Sequence, residues 1–184
     1  MSFLARKGAR LALAALAAAS LALVVSACGE EETTHVFEGE PIELGDLRFN
    51  VQLTRFLNPN DLEDADYLDK QPVAPPGKSY LGVFMEAENE GDKTLTLPSA
   101  LEMEVVDTTD ESYDPIETES IFGFPFGAEL LEGEKVPQAD SASGNGPING
   151  SIVIFLVDDA VSENRPLELD LLADGEKGTI ELDL

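Results

Sequence analysis

The feature that most constrains this chain is a period of two in its apolar residues. Leu47, Phe49, Val51 and Leu53 alternate with Arg48, Asn50, Gln52 and Thr54. Successive side chains of an extended backbone point to opposite sides, so this alternation gives a strand with one dry face and one wet face. The pattern returns at Leu101, Met103 and Val105, at Leu167, Leu169 and Leu171, and at Ile180, Leu182 and Leu184, each time with Glu or Asp between. Residues 79–88 put Leu81, Val83, Met85 and Ala87 on one face, and Tyr80, Gly82 and Phe84 on the other. Glu86 and Glu88 then turn that second face to water. Residues 152–157 are a continuous apolar run, short enough for a strand buried on both faces. Turn sequences rich in Asn, Asp and Gly follow at 89–93, 107–111 and 174–178. No long stretch carries a helical period. The pattern predicts an all-β fold, an antiparallel β-sandwich.

Two stretches break the alternation. Residues 57–77 hold Pro59, Pro72, Pro75 and Pro76, with five acids at Asp61, Glu63, Asp64, Asp66 and Asp69. Proline and acid density predict a long irregular loop, and loops of that length are often functional. Its carboxylates offer oxygen ligands for a weak calcium site. The spacing departs from an EF-hand loop, because Leu62 stands where an acid is expected; the alternative is a solvated acidic loop. The second stretch is Ile121-Phe122-Gly123-Phe124-Pro125-Phe126. In an extended chain Phe122, Phe124 and Phe126 would share one side, with Ile121 and Pro125 opposite. The three rings either close one end of the core or form an exposed ridge that meets a partner. Residues 141–150, rich in Ser, Gly and Asn, read as flexible.

The N-terminus has a separate logic. Arg6, Lys7 and Arg10 precede a run of Leu, Ala and Val over residues 11–25, and small residues then lead to Cys28, the only cysteine. This is the layout of an export signal. Val25-Ser26-Ala27-Cys28 resembles the lipobox of bacterial lipoproteins. That resemblance implies cleavage before Cys28, palmitate-class acyl chains on Cys28, and a protein tethered to the cell membrane on its extracytoplasmic side. The competing reading is an uncleaved membrane anchor, for which the apolar run is at the short limit. The chain divides into a signal peptide (1–27), a lipidated cysteine with an acidic tether (28–40), and a sandwich domain (41–184). His35, the sole histidine, lies in that tether, and one imidazole without partners is no metal site.

Charge narrows the partners. Residues 1–27 hold three of the 11 basic residues and none of the 37 acidic ones, so the chain from Cys28 carries −29. Nucleic acid needs a basic footprint and is excluded as a partner. The charge favours solubility, or a cationic partner. With Cys28 acylated and His35 in the tether, nucleophilic catalysis lacks a nucleophile–base pair. No phosphate-binding glycine loop or dinucleotide fingerprint is present. A non-enzyme without a resident cofactor is expected.

Several motifs, taken together, resemble a known family. Lys78-Ser79-Tyr80-Leu81-Gly82-Val83-Phe84 leads into Glu88-Asn89-Glu90-Gly91-Asp92-Lys93. Thr94-Leu95-Thr96-Leu97-Pro98, Asp110-Glu111-Ser112-Tyr113, Leu131-Glu132-Gly133-Glu134 and Gly150-Ser151-Ile152-Val153-Ile154-Phe155 follow. The order is similar to the immunoglobulin-like domain of unknown function carried by many bacterial surface lipoproteins. That group is related to secreted mycobacterial immunoprotective antigens and to telokin-like sandwiches. The resemblance implies an immunoglobulin-like sandwich and carries over no catalytic residues. The expected function is a membrane-anchored surface module that binds an envelope or extracellular protein. The alternative is a structural or envelope-maintenance lipoprotein without a small ligand.

Overall fold

The computed structural model describes residues 33–184, so the signal segment and Cys28 lie outside the described residues. Twelve strands follow in order: β1 (Thr34–Phe37), β2 (Pro41–Leu44), β3 (Leu47–Leu57), β4 (Lys78–Asn89), β5 (Leu95–Thr96), β6 (Met103–Val106), β7 (Ser112–Tyr113), β8 (Glu129–Leu130), β9 (Lys135–Val136), β10 (Ser151–Asp158), β11 (Leu167–Ala173) and β12 (Glu176–Leu182). One sheet runs β1-β12-β11-β6-β7. The other runs β10-β4-β3-β2, with β9 added to β4, and β5 and β8 form a small separate ribbon. The fold is an all-β sandwich. Every pairing between these strands is antiparallel except β1 with β12, which is parallel.

The core sits where the period of two places it. Leu81, Val83, Met85 and Ala87 of β4, Val153, Phe155 and Val157 of β10, and Leu167, Leu169 and Leu171 of β11 meet in one buried cluster. Gly178 lets the sheets approach: a Cβ there would collide with Ile42 Cδ1 and lie 2.9 Å from Leu44 Cδ2. The β11–β12 hairpin closes on Asp174 and Gly175, both at positive φ (46° and 83°), as a two-residue loop joining right-twisted strands requires.

Four expectations need correction. The tether does not run to residue 40 as a free segment, because Thr34–Phe37 is β1 and His35 sits in it, paired with Thr179. Leu101 does not continue the strand. It lies in a 3-10 turn, Ala100–Glu102, whose Ser99 and Glu102 cap one another, and it is exposed. Leu53 leaves the face of Leu47, Phe49 and Val51. A bulge between Val51 and Leu53 leaves Gln52 unpaired, and one extra residue reverses the side on which every later side chain falls. The stretch 57–77 is not wholly irregular, because it contains a helix, α1 (Leu62–Tyr67), which Asp61 caps by accepting from the Glu63 and Asp64 amides.

Candidate interaction site

The bulge divides the outer face of the second sheet. Before it, Arg48 and Asn50 stand beside Glu86 and Glu88, and this half is polar, with Lys135 2.7 Å from Glu88. After it, Leu53 and Leu57 fall on the same side as Tyr80, Phe84, Ile152 and Ile154, and this half is apolar. A second small core results, and α1 covers it. Tyr67, 2% exposed, inserts edge-on between Phe84 and Phe122, with ring centroids 5.0 Å from each. Burial raises the pKa of its phenol, and the neighbouring Glu63 charge adds to the rise.

Side-chain contacts hold this lid in place. Arg55 reaches Asp64 at 2.5 Å and Glu63 at 2.8 Å, and its guanidinium lies 5.8 Å above the Phe84 ring. Asp64 is buried and also accepts from the Asn58 amide. Ser120 Oγ donates to the Asp66 carbonyl, and Gln71 donates to the Glu117 carbonyl. The five acids proposed for calcium therefore do not converge. Asp61 caps the helix, Glu63 and Asp64 serve Arg55, and Asp66 and Asp69 face solvent. Among the described residues no three His, Cys, Asp or Glu side chains are placed to hold a metal ion.

The aromatic segment does not form a ridge. It runs along the outer edge of β10, where Phe124 N donates to the Ile152 carbonyl and Ile152 N to the Phe122 carbonyl, both at 2.8 Å. The segment opens in a turn closed by Gly123 N on the Ser120 carbonyl, so the backbone at Phe122 is not extended. Phe122 consequently joins the second core under α1, whereas Phe124 is buried in the main core with Phe126 packed beside it, ring centroids 5.2 Å apart. The exposed apolar side chain of the segment is Ile121, at 77%. It borders a groove of about 310 Å³ with Pro125, Ala128, Leu130, Val136 and Pro137. Glu129 and Glu134 are the only charged residues in its lining, and buried Ser143 and Ser151 also contribute to it.

The wall formed by residues 137–145 is bonded to itself rather than loose. Ser141 Oγ accepts from Gly144 N at 3.0 Å, and Asn145 Nδ2 donates to the Ala139 carbonyl at 2.7 Å. In the sequence, Ile121 and Pro125 stand out only as the side opposite the rings. Leu130, Val136 and Pro137 come from or follow the short β8 and β9, which pair with β5 and β4 respectively.

No family model matches the chain, and no curated protein matches it. Solved structures do. The yjhA protein of Bacillus subtilis aligns at 15% identity over 82% of this chain and 100% of its own, with a TM-score of 0.52. A candidate lipoprotein of the same species, ycdA, aligns at 12% identity over 79% of this chain and 38% of its own, with a TM-score of 0.51. MPT63, a secreted protein of Mycobacterium tuberculosis, aligns at 12% identity over 81% of this chain and 97% of its own, with a TM-score of 0.49. The likeness to yjhA and ycdA agrees with the sandwich fold. At such identities it carries no function across.

Proposed function

We propose that residues 28–184 act as a lipid-anchored extracytoplasmic module that binds a protein partner without catalysing a reaction on it. The observation that carries this reading is the groove beside Ile121, an exposed apolar concavity on a chain otherwise crowded with carboxylates. The lipobox-like Val25-Ser26-Ala27-Cys28 supports the address. The resemblance to surface lipoprotein domains points the same way.

Two measurements test it. Cys28→Ser should release the protein from membranes or leave an unprocessed precursor, because stable anchoring needs more than one acyl chain. Membrane fractionation identical to wild type removes the anchor from the proposal. A photo-crosslinking residue at position 121, in cells, should yield a discrete adduct that the same residue at Leu172, on the other sheet, does not. No adduct at 121, or equal adducts at both positions, removes the binding role.

A further inference from the structure

Resting on that reading of the groove, we infer that its occupant is a polypeptide segment that presents an apolar side chain with Lys or Arg beside it. The lining is mostly apolar, with exposed Ile121 beside Pro125, Pro137 and the buried Leu130 and Val136. A volume of about 310 Å³ takes the side chains of one or two apolar residues, not a folded domain. The charges set the rest. The lining carries Glu129 and Glu134 and no basic residue. Glu132 stands exposed in the turn between β8 and β9. An apolar anchor flanked by cations satisfies both the walls and the rim, and the field of a strongly acidic chain draws such a segment in.

Competing occupants fit less well. A second copy of this chain brings the same large negative charge to an already acidic rim, and like charges brought together oppose docking. An acidic peptide meets the same barrier. A polyamine satisfies the carboxylates but leaves Ile121 in water. Ile121 is 77% exposed, so there is apolar area still to be covered, and only an occupant with apolar side chains covers it.

The test uses the full chain purified from membranes in neutral detergent, with fluorescent peptides as probes. A short peptide of Lys and Leu is compared with Lys-Ser and Glu-Leu peptides of equal length, and with spermidine as competitor. Anisotropy should show the Lys-Leu peptide binding at least about tenfold tighter than either control, the difference expected for burying one large apolar side chain. Ile121→Ser should weaken it by about tenfold. Glu129→Gln with Glu134→Gln should weaken it about three- to fivefold at low salt, a loss that shrinks at about 150 mM salt as screening takes over. Leu172→Ser, on the other sheet, should leave affinity unchanged. Equal binding of Lys-Ser, full displacement by spermidine, tighter binding of Glu-Leu, or self-association blocked by Ile121→Ser each overturns the inference. If the crosslink at position 121 persists while the Lys-Leu probe fails, the groove still binds a partner and only the assigned chemistry is wrong.

Discussion

Replacing Tyr67 with Ala tests whether the lid is a separate unit of stability. The ring is 2% exposed and makes edge contacts with Phe84 and Phe122. Cutting a buried aromatic to Ala costs about 3–5 kcal/mol, of which each edge contact accounts for about 0.5–1.5. The remaining ties are weaker. Glu63 and Arg55 are each more than a third exposed or close to it, and exposed ion pairs contribute about 0–1 kcal/mol. The six-residue α1 has no stability of its own at that length. The loss therefore falls on local opening, not on the sandwich. Amide exchange should rise by about a hundredfold or more at Ala65 and Leu68, whose N–H groups bond Asp61 and Asp64. Amides of β4 and β10 at residues whose side chains lie in the main core should keep wild-type protection. Equal acceleration in β4, β10 and α1 would refute the reasoning, because the two cores would then open as one.

Three further outcomes are expected. Asp107 is buried, which alone would raise its pKa, but it accepts from Thr109 N and Oγ1, Glu111 N and Asn164 Nδ2, and these bonds hold it below the usual carboxylate range. Its ionised form thus stabilises the fold above the ordinary carboxylate pKa of about 3.9, and that contribution is lost as pH falls through the lowered folded value. Asp107→Asn should cost about 1–3 kcal/mol near neutrality, and urea titrations should show the gap from wild type narrowing in acid; a widening gap contradicts the assignment. Gly178→Ala should cost about 1–3 kcal/mol by pushing against Ile42 and Leu44, and an unchanged thermal midpoint would mean the sheets yield there. Calcium at about millimolar levels should shift neither calorimetric heat nor melting temperature, since Asp61, Glu63 and Asp64 are spent on a cap and on Arg55 and only Asp66 and Asp69 face solvent; a shift in melting temperature revives the site.

The parts of the fold legible in the sequence are those whose burial repeats along one strand. Residues 79–88 and 152–157 announce β4 and β10 because side chains on both faces end up in one or other core. The bulge at Gln52 was invisible, since Leu53 continues the alternation of Leu47, Phe49 and Val51 without a break. The polarity of a residue does not report an unpaired backbone. Helix α1 escaped because six residues with three acids carry no apolar period, although Asp61 in front of Glu63 and Asp64 is a capping signal. Strand β1 escaped because its partner lies at the far end of the chain, at residues 178–181. The groove was the least legible feature. Ile121 faces solvent only because of the Ser120–Gly123 turn, and Leu130 and Val136 of the groove come from β8 and β9, two residues each.

The early start of β1 sets a length scale. Thr34 is already clamped to Gly178, so only six peptide steps separate it from Cys28. Fully stretched, six residues reach about 20 Å. In the anchored protein proposed above, the sandwich is confined to a shell about one domain deep above the lipid headgroups. Where the facing leaflet is anionic, carboxylates within about 8–10 Å of it are repelled. A partner for the groove must then come to that shell. It is either bound to the same membrane, where the short leash raises its local concentration, or held in the wall layer immediately above.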